Sequence, residues 1–407
     1  MNIRILNHHA LTPDMGGGTR HYDFAKELVK RGHSVTIIAS SFHYSKYQEM
    51  REYDGKEYLQ EKIEGVDFIW LKTPPYRKNS VARVRNMLIY TYKAVSVIPK
   101  LDLKKPDIVI GSSVHLFAVW AAYMLSKRYN TPFIMEVRDL WPKTLIDMGI
   151  SKRHPFILFL GWLEKYMYKK ADKIITLLPK AHMYIKSLGI SGDKILWISN
   201  GVDLDSIIKK EHTEMLDDSK FNVLYAGAHG EANDLGVLID VAAILKENKK
   251  IHFTLIGEGA LKRELIIKAK ELMLENITFL DGVSKEKIYD YLKSADLLYV
   301  GLKDLELYRY GMSMNKVFDY MSVKKPILFV SSMQDSIIDK ADAGLVIRTH
   351  DLQSIADAIV DFSTKEDKEL KDFGERGYKY LIENFSIDIL ADKLEELLLD
   401  EVKKSNG

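Results

Sequence analysis

Ser313, Asn315, Lys316 and Asp319 stand close together in Arg309-Tyr310-Gly311-Met312-Ser313-Met314-Asn315-Lys316-Val317-Phe318-Asp319-Tyr320-Met321. A polar turn opens a helix here, and the apolar run Ile327-Leu328-Phe329 follows as a strand. The turn offers a hydroxyl, an amide, an ammonium and backbone N–H groups. All four can meet an anion at a helix N-terminus, where the helix dipole also favours negative charge. Asp319 lies four residues beyond Asn315, on the same side of the helix. Its carboxylate could accept hydrogen bonds from sugar hydroxyls. Phosphate at the helix start with ribose beside it is what a nucleotide-diphosphate site requires.

A second candidate phosphate turn lies near the N-terminus. The run Asn7-His8-His9-Ala10-Leu11-Thr12-Pro13-Asp14-Met15 leads into Gly16, Gly17, Gly18 and Thr19, and a helix is expected from about Arg20 to Arg31. Three glycines let a backbone approach a ligand without Cβ interference. The spacing is not Gly-x-Gly-x-x-Gly, and no acidic residue ends the strand Ser34–Ala39. Both facts argue against a nicotinamide dinucleotide site. A ligand-free flexible loop is the alternative.

Arg138-Asp139 follows the apolar run Phe133–Val137, and Trp141-Pro142 stops further strand. Asp139 could orient or deprotonate an acceptor hydroxyl, with Arg138 holding its pKa low. A structural ion pair is the alternative, and Glu136 is given only a minor place. His8, His9, His115 and His229 invite a metal reading, but no third ligand stands at suitable spacing. Polar loop contacts are expected of them instead. The one Asp-x-Asp, Asp203-Leu204-Asp205, reads as turn and linker, so no metal is expected.

At 407 residues the chain is too long for one ordinary core. Its 59 basic and 57 acidic side chains nearly cancel, which gives no whole-protein field for nucleic acid. It contains no cysteine, which excludes disulfides and thiolate chemistry and fits a cytoplasmic setting. Met1 to Leu6 runs straight into a strand pattern without the apolar core of a signal peptide. No segment reaches the roughly 18 uninterrupted apolar residues of a membrane span.

Short apolar runs alternate with helical patterns throughout. The first half offers Ile3–Asn7, Ser34–Ala39, Phe68–Leu71, Ile108–Gly111, Phe133–Val137 and Ile174–Leu177. The second offers Lys194–Ile198, Asn222–Ala226, His252–Ile256, Ile277–Leu280, Leu297–Val300, Ile327–Val330 and Leu345–Ile347. Strands interleaved with helices imply parallel sheets, and near-continuous apolar strands imply sheets covered on both faces. The expected fold class is α/β, with two Rossmann-like domains facing across a cleft. The first spans 1–198 and the second 199–386, the break falling at Ser199-Asn200-Gly201-Val202-Asp203. A last helix within 387–407, with Leu390, Leu394, Leu397 and Leu398 on one stripe, is expected to cross back and complete the first domain.

The ordered set of segments is similar to the retaining GT-B glycosyltransferases of family GT4. It most resembles the bacterial capsule and O-antigen amino-sugar subgroup of the N-acetylfucosamine-transferase type. The segments are Gly16–Gly18, Glu136-Val137-Arg138-Asp139-Leu140-Trp141-Pro142, Ser199–Asp203, Tyr225-Ala226-Gly227-Ala228-His229-Gly230, Gly257-Glu258-Gly259 and Ser313-x-Asn315-Lys316-x-x-Asp319-Tyr320-Met321. Two features depart from most members. Gly311 replaces the first acid of Glu-x7-Glu, with Asp319 at the second. Ala228-His229-Gly230-Glu231 replaces the usual Arg and Lys.

The resemblance implies transfer of a sugar, expected to be an N-acetylamino sugar, from a UDP-sugar to a lipid-linked saccharide in bacterial surface polysaccharide synthesis. Front-face attack would need no obligatory nucleophile. The donor site would comprise Gly16, Gly17, Gly18, His229, Gly230, Gly257, Gly259, Ser313, Asn315, Lys316 and Asp319. Asp139, Arg138 and Lys316 would be the catalytic groups, and fixed donors would replace a metal ion at the leaving diphosphate. The turns Gly257–Gly259 and Asp281–Ser284 would surround the nucleobase. A nucleotide-sugar 2-epimerase of the same fold and a catalytically silent scaffold are the competing readings.

Two segments suit an anionic membrane surface. From Pro74 to Lys105 the basic residues Arg77, Lys78, Arg83, Arg85, Lys93, Lys100, Lys104 and Lys105 mix with Met87, Leu88, Ile89, Tyr90 and Tyr92. Phe156 to Lys170 repeats the mixture with Trp162, Tyr166 and Tyr168. An ordinary helix with a core stripe and a charged outer face fits the same pattern. With it goes the expectation of a peripheral protein on the inner face of the plasma membrane.

Overall fold

Parallel pairing dominates both sheets, as short β-branched runs separated by helices require. The computed structural model describes residues 1–77, 81–113, 115–147, 149–204 and 215–407. Two units share the chain. The first comprises Met1–Asn200, Tyr310–Ser313 and Ile387–Gly407, and the second comprises Gly201–Arg309 and Met314–Ser386.

The first unit contains β1 (Asn2–Leu6), β2 (Ser34–Ala39), β3 (Phe42–His43), β4 (Gln48–Glu49), β5 (Tyr58–Ile63), β6 (Val66–Leu71), β7 (Ile108–Ser113), β8 (Phe133–Val137), β9 (Lys173–Thr176) and β10 (Ile195–Trp197). Its main sheet has the order β10-β9-β8-β7-β1-β2-β6-β5. Only the edge strand β5 runs antiparallel, pairing with β6. The chain reverses its direction of travel between β1 and β7, so the loops after those two strands open at the switch point where α/β sheets place ligands.

The second unit contains β11 (Phe221–Ala226), β12 (Ile251–Ile256), β13 (Ile277–Leu280), β14 (Leu297–Gly301), β15 (Ile327–Val330) and β16 (Gly344–Ile347). Their order is β13-β12-β11-β14-β15-β16, parallel throughout. The switch point lies between β11 and β14.

Two elements differ from what the sequence pattern predicts. Lys194–Ile198 is expected to begin the second series, but β10 pairs in parallel with β9 and belongs to the first sheet. The strand β5 has no apolar signature, because Tyr-Leu-Gln-Glu-Lys-Ile mixes charged residues into an exposed edge, where apolar continuity is not needed.

The final helix, Ile387–Asn406, packs in the first unit beside helix Arg20–Lys30. Leu390, Leu394, Leu397 and Leu398 share one buried core with Ile3, Ile5 and Leu28. Arg31 anchors this docking. It donates to Asp392 at 2.6 Å and Glu395 at 2.8 Å, and His33 Nε2 lies 2.7 Å from the other Glu395 oxygen. A separate core in the second unit gathers Val223, Phe253, Leu255, Tyr299, Leu328 and Phe362.

Candidate functional site

In the second unit the turns after β11 and β12 are pressed together. A Cβ on Gly257 would lie 1.9 Å from the Gly227 carbonyl oxygen, so only glycine fits there. Backbone bonds tie the turns: His229 N–H donates to Glu258 C=O at 2.9 Å, and Leu261 N–H donates to His229 C=O at 3.0 Å. Gly259 backs directly onto the His229 backbone. The His229 side chain is thereby buried, and neither ring nitrogen has a partner among the described residues. Burial, with Lys262 adding to it, lowers its pKa to about 4, so the imidazole is neutral.

Lys316 occupies the same place. It is the second residue of helix Asn315–Ser322, which begins after Met314 without a side-chain cap. Its ammonium donates to the Tyr225 hydroxyl at 2.9 Å and to Asn233 Oδ1 at 2.6 Å, and it lies 4.5 Å from the centre of the Tyr225 ring. Among the described residues no carboxylate pairs with it. Desolvation therefore lowers its pKa from 10.5 to about 7. A buried cation held only by neutral groups, at a helix start and a glycine turn, is arranged to receive an anion.

The neighbouring candidate residues are placed in different ways. Asn315 is exposed at the first helical position. Gly230 begins the short turn that carries Asn233. Asp319, expected to be open to sugar hydroxyls, already accepts a hydrogen bond from Tyr289 at 2.7 Å through Oδ1. Tyr320 braces the end of β11, its hydroxyl accepting from Ala226 N–H at 2.7 Å. Glu258 and Asp281 both pair with Lys262, which closes the two loops expected around a nucleobase.

The first unit holds a fully compensated charge. Glu136, at the end of β8, has only a minor place in the sequence pattern, yet it is the hub of a buried network. Arg20 pairs with Oε2 at 2.9 Å, while His21 and Ser112 meet Oε1 at 2.7 and 2.8 Å. Arg20 also donates to the Ser199 and Ile198 carbonyls. These partners outweigh desolvation and hold the Glu136 carboxyl well below its usual range. Spacing could not reveal this set, because elements far apart in the chain bring it together.

The loops after β1 and β7 carry His8, His9 and His115, all buried, with ligand atoms within 4.8 Å of one another. The fold thus supplies the third imidazole that sequence spacing did not show, because β1 and β7 are adjacent strands. The ring protons follow from the bonds. Ala118 N–H donates to His115 Nδ1, so His115 Nε2 bears the proton and donates to His8 Nδ1 at 2.8 Å. His8 then carries its own proton on Nε2. The pair forms a hydrogen-bonded relay, and Arg83 and Arg138 keep the surroundings positive.

Asp139 is solvent-accessible but ringed by protein. Crowding raises its pKa, and Arg138 only partly opposes this. The expectation that Arg138 holds the carboxyl low is therefore corrected. A more basic carboxylate is better suited to take a hydroxyl proton. The triple-glycine turn lies in this unit just before helix Arg20–Lys30. Lys46 donates to Met15 C=O at 2.7 Å, and His43 lies 3.3 Å from Gly16 C=O. Gly17 is exposed beside the half-buried Gly18.

Ser313 also differs from expectation. It groups with the first unit, where its Oγ lies 2.9 Å from Ser199 Oγ and accepts from Asn200 N–H at 2.9 Å. Asn200 Nδ2 in turn donates to Ser313 C=O at 2.8 Å. The serine hydroxyl serves backbone of its own unit rather than the helix cap. Asp205 of the Asp-x-Asp run and Lys78 of the basic segment lie outside the described residues.

Two glycosyltransferase family models match the chain. Glycosyltransferase Family 4 matches residues 15–206, and Glycosyl transferases group 1 matches residues 207–380. The chain carries both glycosyltransferase domains. Among curated relatives, it is 24% identical over 237 residues to a poly(ribitol-phosphate) alpha-N-acetylglucosaminyltransferase of Staphylococcus aureus, covering 56% of this chain and 45% of that protein. It is 31% identical over 137 residues to an N-acetylgalactosamine-N,N'-diacetylbacillosaminyl-diphospho-undecaprenol 4-alpha-N-acetylgalactosaminyltransferase of Campylobacter jejuni, covering 33% of this chain and 36% of that protein. The chain thus matches less than half the length of either curated relative.

Solved structures match end to end. Sucrose-phosphate synthase of Thermosynechococcus elongatus superposes with a TM-score of 0.75 at 15% identity, covering 98% of both chains. The Anabaena protein HepE in complex with UDP gives 0.68 at 13% identity, covering 98% of this chain and 100% of the other. The fold is therefore GT-B, with two Rossmann-like domains.

Gly311, where the family resemblance leads one to expect an acid, sits in a conformation and a contact that suit glycine. Its φ is +89°, and a Cβ there would lie 2.5 Å from Pro179 Cγ. Any side chain at this position would therefore require Pro179 to move.

Proposed function

We propose that the chain transfers a sugar from a UDP-sugar to a lipid-linked saccharide, with retention and without a metal ion. The buried Lys316 ammonium, lacking any carboxylate partner among the described residues, carries this reading. A donor diphosphate would supply its missing counter-charge. Gly227 brings its backbone up beside that ammonium, since a Cβ there would lie 3.2 Å from Lys316 Nζ. Fixed dipoles and an ammonium aimed at the leaving diphosphate stabilise its charge in the transition state, and in many enzymes no other effect lowers the barrier more. Asn315, first on the helix, is a further donor, and Asp319 accepts from ribose.

In the first unit, Asp139 orients the acceptor hydroxyl and accepts its proton as the new glycosidic bond forms. Arg138 keeps the neighbourhood positive. An N-acetylamino sugar donor accords with the names of both curated relatives, and a UDP donor accords with UDP bound to HepE. A lipid-linked acceptor accords with the undecaprenol named in the Campylobacter relative. Such an acceptor places the work at an anionic membrane surface, on the cytoplasmic side where nucleotide sugars are made. No helix among the described residues is long and apolar enough to cross a membrane.

Calorimetric titration with UDP, with magnesium and with chelator, tests the donor site. Binding unchanged by chelator is the expected result. Absence of UDP binding, or binding restored only by magnesium, would overturn the reading.

A further inference from the structure

The two helical layers of the first unit are chemically unlike. Helices Val81–Val97, Leu116–Tyr129 and Pro155–Lys170 follow crossovers that travel the same way across the sheet. Right-handed connection therefore puts them on one face. They also pack side by side, the first on the second and the second on the third. Their sequences contain a single acid, Glu164, and it is buried. Arg85, Lys127, Arg128, Lys165 and Lys169 are all exposed. Helix Ile387–Asn406 on the other layer instead carries Asp388, Asp392, Glu395, Glu396, Asp400 and Glu401.

The basic layer also exposes its large apolar side chains. Leu158 is 61% exposed, Trp162 57%, Tyr92 70% and Val81 84%. Aromatic rings run across the surface of the second and third helices. Phe159 stacks near Trp162 at 6.1 Å, Trp162 lies 5.5 Å from Tyr166, and Tyr166 lies 6.0 Å from Trp120. Along the first helix, Val81, Leu88 and Tyr92 border an apolar groove of about 390 Å³. Contiguous exposed apolar surface rimmed by one sign of charge marks a docking face.

We infer that this three-helix layer lies on an anionic phospholipid bilayer, with Leu158 and Trp162 at the acyl boundary and the basic side chains among headgroup phosphates. The inference rests on the lipid-linked acceptor proposed above and names the surface that meets the lipid. Amphipathic tryptophan and tyrosine favour the interface, and each basic residue near an anionic surface adds attraction that salt screens.

Co-sedimentation of the full chain with vesicles tests this. Vesicles of phosphatidylcholine with phosphatidylglycerol should pull the protein down at low salt, and vesicles of phosphatidylcholine alone should not. The double substitution Leu158→Asp and Trp162→Asp, both exposed and so harmless to folding, should weaken partition at least about tenfold. Its circular dichroism and UDP affinity should match wild type. No binding to anionic vesicles, or equal binding by the double variant, would overturn the inference. So would a concentration-dependent dimer in sedimentation velocity that the double variant abolishes, since a second copy would then cover the face. UDP binding reads the donor site alone: if UDP binds while vesicles do not, only the membrane face falls.

Discussion

Glu136, at the end of β8 in the first unit, and Lys316, at a helix start in the second, are both charged groups withdrawn from water, and their surroundings are opposite. Glu136 meets a guanidinium, an imidazole and a hydroxyl, and its charge is strongly favoured. Lys316 meets a phenol and an amide oxygen, and its charge is strongly disfavoured. A charge that the fold itself neutralises fixes backbone: Arg20 reaches from Glu136 to the carbonyls of Ile198 and Ser199. A charge left to neutral dipoles keeps its strongest interaction for something that arrives from solution.

Removing each charge should separate the two roles. Glu136→Gln leaves Arg20 buried without its carboxylate, and breaking such a pair costs about 3–5 kcal/mol. Urea unfolding of the first unit should show that loss, with UDP affinity per folded molecule unchanged. A variant of native stability would break the contrast from the structural side.

Lys316→Ala should do the reverse. UDP affinity should fall more than tenfold, because a hydrogen bond to a charged group contributes about 1.5–3 kcal/mol. Stability near pH 7 should stay level or rise, because a desolvated cation is removed. Calorimetry showing undiminished affinity would remove the proposed diphosphate contact.

Restoring a side chain at the departure from the family pattern gives a third comparison. Gly311→Ala forces a Cβ into positive φ and into the Pro179 ring. We expect a loss of about 1–3 kcal/mol in thermal or urea unfolding. Wild-type stability would mean that Pro179 yields freely and that the glycine is not sterically required.

The smallest effect is in pH dependence. The Lys316 pKa is about 7 in the folded chain against 10.5 ordinarily. Between those values the unfolded chain binds more protons, so this group makes stability rise with pH across the window, and its desolvation penalty is fully present below about 7. A bound diphosphate favours the protonated form. UDP affinity should therefore decline as pH rises above about 7, and Lys316→Ala should flatten that decline. A profile identical in both proteins would assign the titration elsewhere.

Part of this contrast is legible in the chain itself. The polar turn before Val317 and Phe318 marks Lys316 as a helix-start ammonium, because caps, turns and helical period are local properties. Three glycines and the Arg138-Asp139 pair are visible for the same reason. The sequence places Asp139 correctly at a strand end but suggests the wrong direction of pKa shift, since crowding by distant residues outweighs the adjacent arginine. Glu136 looks minor because Arg20 and His21 are more than a hundred residues away in the chain. His115 looks isolated from His8 for a similar reason.

What the sequence determined by itself is the alternation of buried strands and amphipathic helices, hence two parallel α/β sheets and the residue types at their loop ends. Periodicity fixes which face of an element is apolar, and this needs no knowledge of neighbours. Only the tertiary structure decided which loop ends meet. That choice follows from strand order, where the chain reverses at β1 and β7 and again at β11 and β14. Strand order set Tyr225 and Asn233, rather than a carboxylate, around the Lys316 ammonium, and it gathered three helices without an exposed acid onto one face of the first sheet.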